Sequence, residues 1–108
     1  MRNGLYSVHF QTQAGVGTGV IYARDGKIWG GDAGLYYTGT YDVDGDNMTA
    51  TVVTNRHTQI GNIVSVFGID KVTINLVGQS NGDSIACKGT SPQAPGVNFT
   101  ANLTRLSD

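Results

Sequence analysis

The sequence lacks several features that many folds and activities require. It contains no Glu, so all eight acidic residues are Asp, and charged residues make up only 14% of its 108 positions. Its net charge of −1 excludes the strongly basic surface on which nucleic-acid binding commonly depends, and we expect no direct nucleic-acid partner. Glu favours helices, whereas the frequent Thr, Val, Ile and Tyr favour strands, so the composition argues against a predominantly helical fold.

Cysteine and long apolar runs are also scarce. The single Cys87 cannot form an intramolecular disulfide, and the two His lie too far away in sequence to build a metal site around it. No apolar run approaches the roughly 20 residues of a membrane-spanning helix. The opening residues MRNGLYSVHFQ lack the apolar centre of a secretory signal. We therefore expect one cytoplasmic domain over residues 1–108, with no membrane span, metal or other cofactor.

Alternation of apolar and polar residues with a period of two is the main pattern that is present. It predicts eight strands, near residues 5–11, 17–24, 27–30, 35–41, 48–54, 71–78, 84–89 and 97–104. Asp25-Gly26, Asp44-Gly45 and Asn81-Gly82 are residue pairs typical of tight hairpin turns. Consecutive hairpins hide their edges best by closing on themselves. We therefore predict an all-β, eight-stranded antiparallel up-and-down barrel or a strongly curled sheet, with a two-sheet sandwich as the alternative.

One segment, residues 55–70, departs from this alternation. Its apolar residues have the i, i+3, i+4, i+7 spacing of a short amphipathic helix: Ile60, Ile63, Val64 and Phe67. An irregular strand is the alternative, so we predict a short helix or an irregular segment near residues 57–68. This segment either covers one end of the barrel or presents an apolar strip to a second subunit or another partner.

No motif typical of catalysis is present. His9 and His57 have no Cys or acid close to them in sequence, so we predict no catalytic residues and no enzymatic activity. The glycine-rich run from Gly15 to Gly19 lacks the Lys and the helical pattern of a phosphate-binding loop. Its glycines are more typical of a hairpin and a strand bend.

Three carboxylates at every second position form the most polar feature, at Asp42, Asp44 and Asp46. A calcium loop would need Gly at its sixth position and a carboxylate at its twelfth, where Asn47 and Val53 stand. A solvated polar hairpin is the simplest interpretation. The alternative is an acidic projection that contacts basic groups of a protein partner.

Aromatic and aliphatic residues on the predicted inward faces are candidates to line a cavity. Small residues at other inward positions, such as Gly39, Ala50 and Ala101, leave space inside an eight-stranded barrel. A packed core is the simpler interpretation, and a cavity that holds an apolar small molecule is the alternative. The candidate lining residues are Tyr6, Val8, Phe10, Tyr37, Phe99 and Leu103.

Several short segments occur in an order known from one protein family. They are Asn3–Phe10, Gly17–Val20, Asp25–Ile28, Gly30–Asp32 and Tyr37–Tyr41. Together they resemble the GrlR-type negative regulators of bacterial type III secretion. The likeness is best over residues 3–54 and thins to Ser65-Val66-Phe67 and the last strand.

The resemblance implies a lipocalin-like eight-stranded barrel that forms a homodimer and has no catalytic activity. Members of the family bind a transcriptional activator and keep it from its promoter. The acidic surface motif of the family falls on Val43–Asp46, where only Asp44 and Asp46 match as acids.

Two hypotheses of function follow. In the first, the protein is a non-enzymatic regulator that sequesters a transcriptional activator, using the Asp42–Asp46 hairpin and the apolar strip Ile60–Phe67. In the second, it is a small barrel that carries an apolar small molecule or lipid in its interior.

Overall fold

The computed structural model describes residues 1–59, 61 and 67–108, which contain eight strands. All eight predicted strands are present, and most of them extend further toward the adjoining turns than the alternation alone indicated. Their bounds are β1 (Gly4–Thr12), β2 (Gly15–Arg24), β3 (Lys27–Gly31), β4 (Leu35–Asp44), β5 (Asn47–Arg56), β6 (Val72–Asn81), β7 (Ser84–Thr90) and β8 (Phe99–Ser107).

The strands form a closed antiparallel barrel. Each strand pairs with its neighbour in sequence, and β8 pairs with β1, for example through Phe10 opposite Ala101. The predicted up-and-down barrel is confirmed, and the open curled sheet and the two-sheet sandwich are excluded. Closure gives every strand a hydrogen-bonded neighbour on each side, which removes the open edge strands that are the main aggregation hazard of an all-β chain.

Tight turns join the strands at one end of the barrel. Asp25 and Gly26 both have positive φ, of 51° and 86°, as a type I′ hairpin requires. The other two turns lie one residue further along the chain than the predicted pairs Asp44-Gly45 and Asn81-Gly82, because β4 includes Asp44 and β6 includes Asn81. In these turns Gly45 and Gly82 are the first central residues, with φ of 62° and 66°, the glycine position typical of type II′ turns.

The alternating faces of the strands separate the barrel interior from solvent. In β8, Phe99, Ala101 and Leu103 are buried, whereas Thr100 and Asn102 are exposed. The interior holds one core, composed of Tyr6, Val8, Ile21, Ala23, Ile28, Leu35, Tyr37, Tyr41, Met48, Ala50, Val72, Ile74, Ile85, Cys87, Phe99, Ala101 and Leu103.

The glycine-rich start of β2 makes room for aromatic rings in this interior. A Cβ atom at Gly17 would overlap the ring of Phe10. A Cβ atom at Gly19 would lie 2.8 Å from the carbonyl oxygen of Gly31 and 3.0 Å from the hydroxyl of Tyr37. Gly17 and Gly19 therefore serve as small inward residues, because a side chain at either position would collide with a ring or with the neighbouring backbone.

The two ends of the barrel differ. The end at which β1, β3, β5 and β7 finish is here called the mouth, and it carries the three longer connections together with the two-residue turn between β1 and β2. The opposite end, where the three tight turns lie, is called the turn end. The described part of the connection between β5 and β6 contains no helix, and Ile60, Ile63 and Val64 lie outside the described residues. No helix among the described residues is long and apolar enough to cross a membrane.

Candidate ligand cavity

A cavity of about 380 Å³ lies inside the barrel and is bordered by residues of all eight strands. Its volume falls in the range of about 300–1,000 Å³ that is usual for small-molecule sites. The interior is therefore incompletely filled, contrary to the simpler expectation of a packed core. Five of the six candidate lining residues border the cavity: Val8, Phe10, Tyr37, Phe99 and Leu103.

Tyr6, the sixth candidate, is buried at the turn end and is not among the described residues that border the cavity. Its hydroxyl donates a hydrogen bond of 2.6 Å to the carbonyl oxygen of Arg2. Burial is the main cause that raises the pKa of Tyr6. The side chain therefore helps to hold the first residues of the chain beneath the barrel.

The first three residues close the turn end. Arg2 forms a salt bridge of 3.3 Å with Asp83 in the turn between β6 and β7. The side chain of Asn3 both donates to the carboxylate of Asp25 and accepts its backbone N–H, at 3.1 and 3.0 Å. Met1 packs against the core and borders the cavity. Because the turn end is closed in this way, a ligand would enter from the mouth.

Aromatic rings border the cavity near the mouth. The ring of Phe99 stacks on Phe10 and on Phe67, with centroid distances of 6.0 and 5.4 Å and interplanar angles of 23° and 18°. Tyr37 meets the edge of Phe10 at a centroid distance of 6.5 Å. Phe67 is thus the one residue of the predicted apolar strip that the structure describes, and it packs on the barrel interior.

An acid and a phenol form a hydrogen-bonded pair at the cavity wall. One carboxylate oxygen of Asp32 accepts the backbone N–H groups of Gly34 and Leu35, at 2.9 and 2.8 Å, and the other accepts the hydroxyl of Tyr37. Burial, and then the hydrogen bond to Asp32, raise the pKa of Tyr37 far above its usual value. Tyr37 therefore remains a neutral hydrogen-bond donor to Asp32.

Asp32 was not among the site residues predicted from the sequence. The local sequence indicates only its role in a turn, because Asp before Ala-Gly is typical of a turn in which the carboxylate accepts nearby backbone N–H groups. The contact with Tyr37 depends on the pairing of β3 with β4, which places both residues at the mouth.

A second polar pair, Arg56 with Asp70, lies at the mouth between the end of β5 and the start of β6. The guanidinium donates two hydrogen bonds to the carboxylate, at 2.9 and 2.7 Å, in the paired geometry that favours Arg–carboxylate contacts. These hydrogen bonds lower the pKa of Asp70. Arg56 also donates to the carbonyl oxygen of Thr58 at 3.1 Å, and Thr54 donates to the backbone carbonyl of Asp70 at 2.7 Å.

The acidic hairpin lies at the turn end, away from the mouth. Asp42, Asp44 and Asp46 are all exposed, and so is Val43 between the first two. None of the three carboxylates forms a salt bridge with another residue in the part of the chain that the structure describes. The predicted partner site and the mouth of the cavity thus lie at opposite ends of the barrel.

The reactive side chains are dispersed. Over residues 1–59, 61 and 67–108, no cluster of three or more His, Cys, Asp or Glu residues has the geometry of a metal site. Cys87 borders the cavity, and burial raises the pKa of its thiol to about 11. The thiol is therefore neutral near pH 7 and contributes an apolar surface to the cavity wall.

A scan against models of protein families finds no match, and a search of curated proteins finds no significant relative.

Proposed function

We propose that this protein binds a small apolar molecule inside its barrel. The observation that carries the proposal is the cavity of about 380 Å³, which has a largely apolar wall and a closed turn end; the charged residues among its described lining, Asp32 and Arg56, lie toward the mouth. Transfer of apolar surface from water into such a cavity is favourable by about 25 cal/mol per Å². Of the two hypotheses drawn from the sequence, the cavity supports the carrier.

The cavity volume sets the size of the ligand. A cavity of about 150 Å³ holds benzene, so by proportion this cavity suits about 15 non-hydrogen atoms. At about 0.5 kcal/mol per atom, within the usual limits for ligands, the binding free energy is about −7.5 kcal/mol. This value corresponds to a dissociation constant in the micromolar range.

Binding of N-phenyl-1-naphthylamine, an uncharged dye whose fluorescence rises in apolar surroundings, tests this proposal. We expect saturable binding to the native protein, and its absence would refute the proposed function. Ala101→Leu adds volume at an inward position that borders the cavity, and we expect it to weaken binding at least about tenfold. Asn102→Leu is the matched control, because Asn102 faces solvent on the same strand. Equal affinities of the two variants would place the dye outside the barrel.

A second candidate function is supported by the exposed acidic hairpin. We propose that Asp42, Asp44 and Asp46 bind a basic surface of a regulatory protein, for which the GrlR-type resemblance suggests a transcriptional activator. Their exposure and their lack of salt bridges to described residues leave the carboxylates available for this contact. A cytoplasmic location and a homodimer belong to the same proposal, and light scattering measures the oligomeric state.

Co-purification from the native host tests the hairpin. The variant Asp44→Asn with Asp46→Asn should lose a partner that the native protein retains, because charge complementarity supplies the contact. Thr100→Lys with Asn102→Lys changes the net charge equally on the exposed face of β8 and should retain it. A partner that remains bound to the hairpin variant would contradict this second candidate.

A further inference from the structure

The cavity rim, defined here as Asp32, Tyr37 and Arg56, contains one acid and one cation among the described residues, and the cation is already paired with Asp70. Arg56 is the one Arg or Lys among the described residues that border the cavity. Its guanidinium is already paired with Asp70 through two hydrogen bonds, and a third nitrogen donates to Thr58. It is therefore not available to pair with a charged ligand unless the ion pair with Asp70 is broken.

Two other basic residues, His57 and Lys71, lie in the connection between β5 and β6 at the mouth. His57 has its Nε2 atom 3.0 Å from the carbonyl oxygen of Asp32 and its Nδ1 atom 2.6 Å from the hydroxyl of Thr58, and it is not among the described residues that border the cavity. Lys71 is exposed and is not among the described residues that border the cavity. By formal charge, the two carboxylates of Asp32 and Asp70 and the guanidinium of Arg56 sum to −1.

Met1 borders the cavity, but it precedes β1 and is held at the turn end by the contacts of Arg2 and Asn3. A ligand that enters from the mouth leaves its polar group at the rim if its apolar part fills the interior. The group that it meets there is the Asp32–Tyr37 pair.

The Asp32–Tyr37 pair can still accept hydrogen bonds, but its one O–H donor is already used. Tyr37 uses its single O–H to donate to Asp32, so its oxygen retains acceptor capacity. A ligand carboxylate offers only acceptors, and its burial beside Asp32 adds a cost of desolvation to the repulsion between like charges. A ligand hydroxyl offers a donor and carries no charge.

We propose that the cavity selects uncharged apolar alcohols and discriminates against carboxylates of the same chain length. This inference rests on the proposed function and adds the ligand class to it. The ligand hydroxyl donates to the Tyr37–Asp32 pair, and its hydrocarbon part fills the interior behind the aromatic rings.

Displacement of N-phenyl-1-naphthylamine by 1-decanol and by decanoate tests the proposal, because the two compounds share one alkyl chain. The assay is run at about pH 8, where the carboxylate is ionised. We expect decanol to displace the dye at a concentration at least about tenfold lower than decanoate. Equal displacement, or a preference for decanoate, overturns the selectivity while the proposed function stands. Failure of the dye itself to bind overturns the proposed function.

The variant Asp32→Asn tests whether the preference for decanol over decanoate depends on the rim. Asn retains an acceptor for the N–H groups of Gly34 and Leu35 and removes the negative charge. We expect the preference for decanol over decanoate to fall several-fold toward unity. Asp42→Asn makes the same change of charge at the turn end and should leave the preference unchanged. An unchanged preference in a folded Asp32→Asn protein would refute the role of Asp32, and the wild-type comparison decides the ligand class independently.

Discussion

Phe99 connects packing and ligand binding at the scale of single residues. It is buried at the mouth end of β8, stacks between Phe10 and Phe67, and borders the cavity. Its ring therefore stabilises the interior through two aromatic contacts and also forms part of the wall that a ligand would touch.

We expect Phe99→Ala to destabilise the protein by about 3 kcal/mol, near the lower limit for loss of a buried ring because the ring already borders empty space. Urea unfolding followed by circular dichroism measures the change. Thr100→Ala, at the next and exposed position, should stay within about 0.5 kcal/mol of the native protein. A cost below about 1 kcal/mol for Phe99→Ala would show that the ring contributes little to the core.

Two buried titratable groups predict a loss of stability at alkaline pH. Burial raises the pKa of the Cys87 thiol to about 11, and burial with the Asp32 hydrogen bond raises the pKa of Tyr37 further. A group whose pKa is higher in the folded state stabilises that state below its unfolded pKa and loses this effect as the pH rises toward the folded value. The free energy of unfolding should therefore fall from about pH 9 upward, since the ordinary thiol pKa is near this value.

Chemical denaturation at a series of pH values checks the alkaline prediction. The variant Cys87→Ala with Tyr37→Phe lacks both groups and should show a smaller loss of stability over the same range. An equally steep loss in this variant would assign the effect to other residues.

At the scale of elements, the hairpin turns show why most strand positions were predictable. Asp25-Gly26 identifies its turn because both residues must adopt positive φ, and few other residue pairs do so readily. The ends of the strands were less predictable. Once the turn fixes the register, backbone pairing continues through polar residues such as Asp44 and Asn81, where side-chain alternation gives no signal.

The β2–β3 turn provides a test at this scale. Gly26→Ala places a Cβ atom at φ 86°, and we expect a loss of about 1–2 kcal/mol in the free energy of unfolding. Gly26→Asn is the control, because Asn tolerates positive φ better than Ala does, and it should lose less. Thermal unfolding followed by calorimetry measures both. Equal losses would mean that the cost arises from contacts of the side chain and not from backbone conformation.

At the scale of the whole molecule, closure of the barrel was predictable, whereas the empty volume inside it was not. Alternation assigns each side chain to the interior or to solvent, but it does not add up the volumes of inward residues from eight strands. Gly39, Ala50 and Ala101 at predicted inward positions indicated space, and the structure adds Gly17 and Gly19 to them. The rings of Phe10 and Tyr37 occupy part of that space, and the volume that is left depends on how all the inward side chains pack together.

The polar pairs at the mouth could not be predicted for a related reason. Asp32 and Tyr37 are five residues apart on different sides of a turn, and Arg56 and Asp70 are separated by the connection between β5 and β6. Their contacts depend on how that end of the barrel is arranged in space. The acidic hairpin is the opposite case, since its three carboxylates are neighbours in sequence and their shared exposure follows from one turn.

The pairing of β8 with β1 has a practical consequence. It places the first and the last strand side by side, with Leu5 opposite Ser107. A circularly permuted chain, joined through a short flexible peptide between residues 108 and 1 and opened at the exposed turn of Gly45, keeps every strand beside the same two neighbours. Such a rearranged gene would supply new termini away from the mouth, to which a reporter can be fused without obstructing access to the interior.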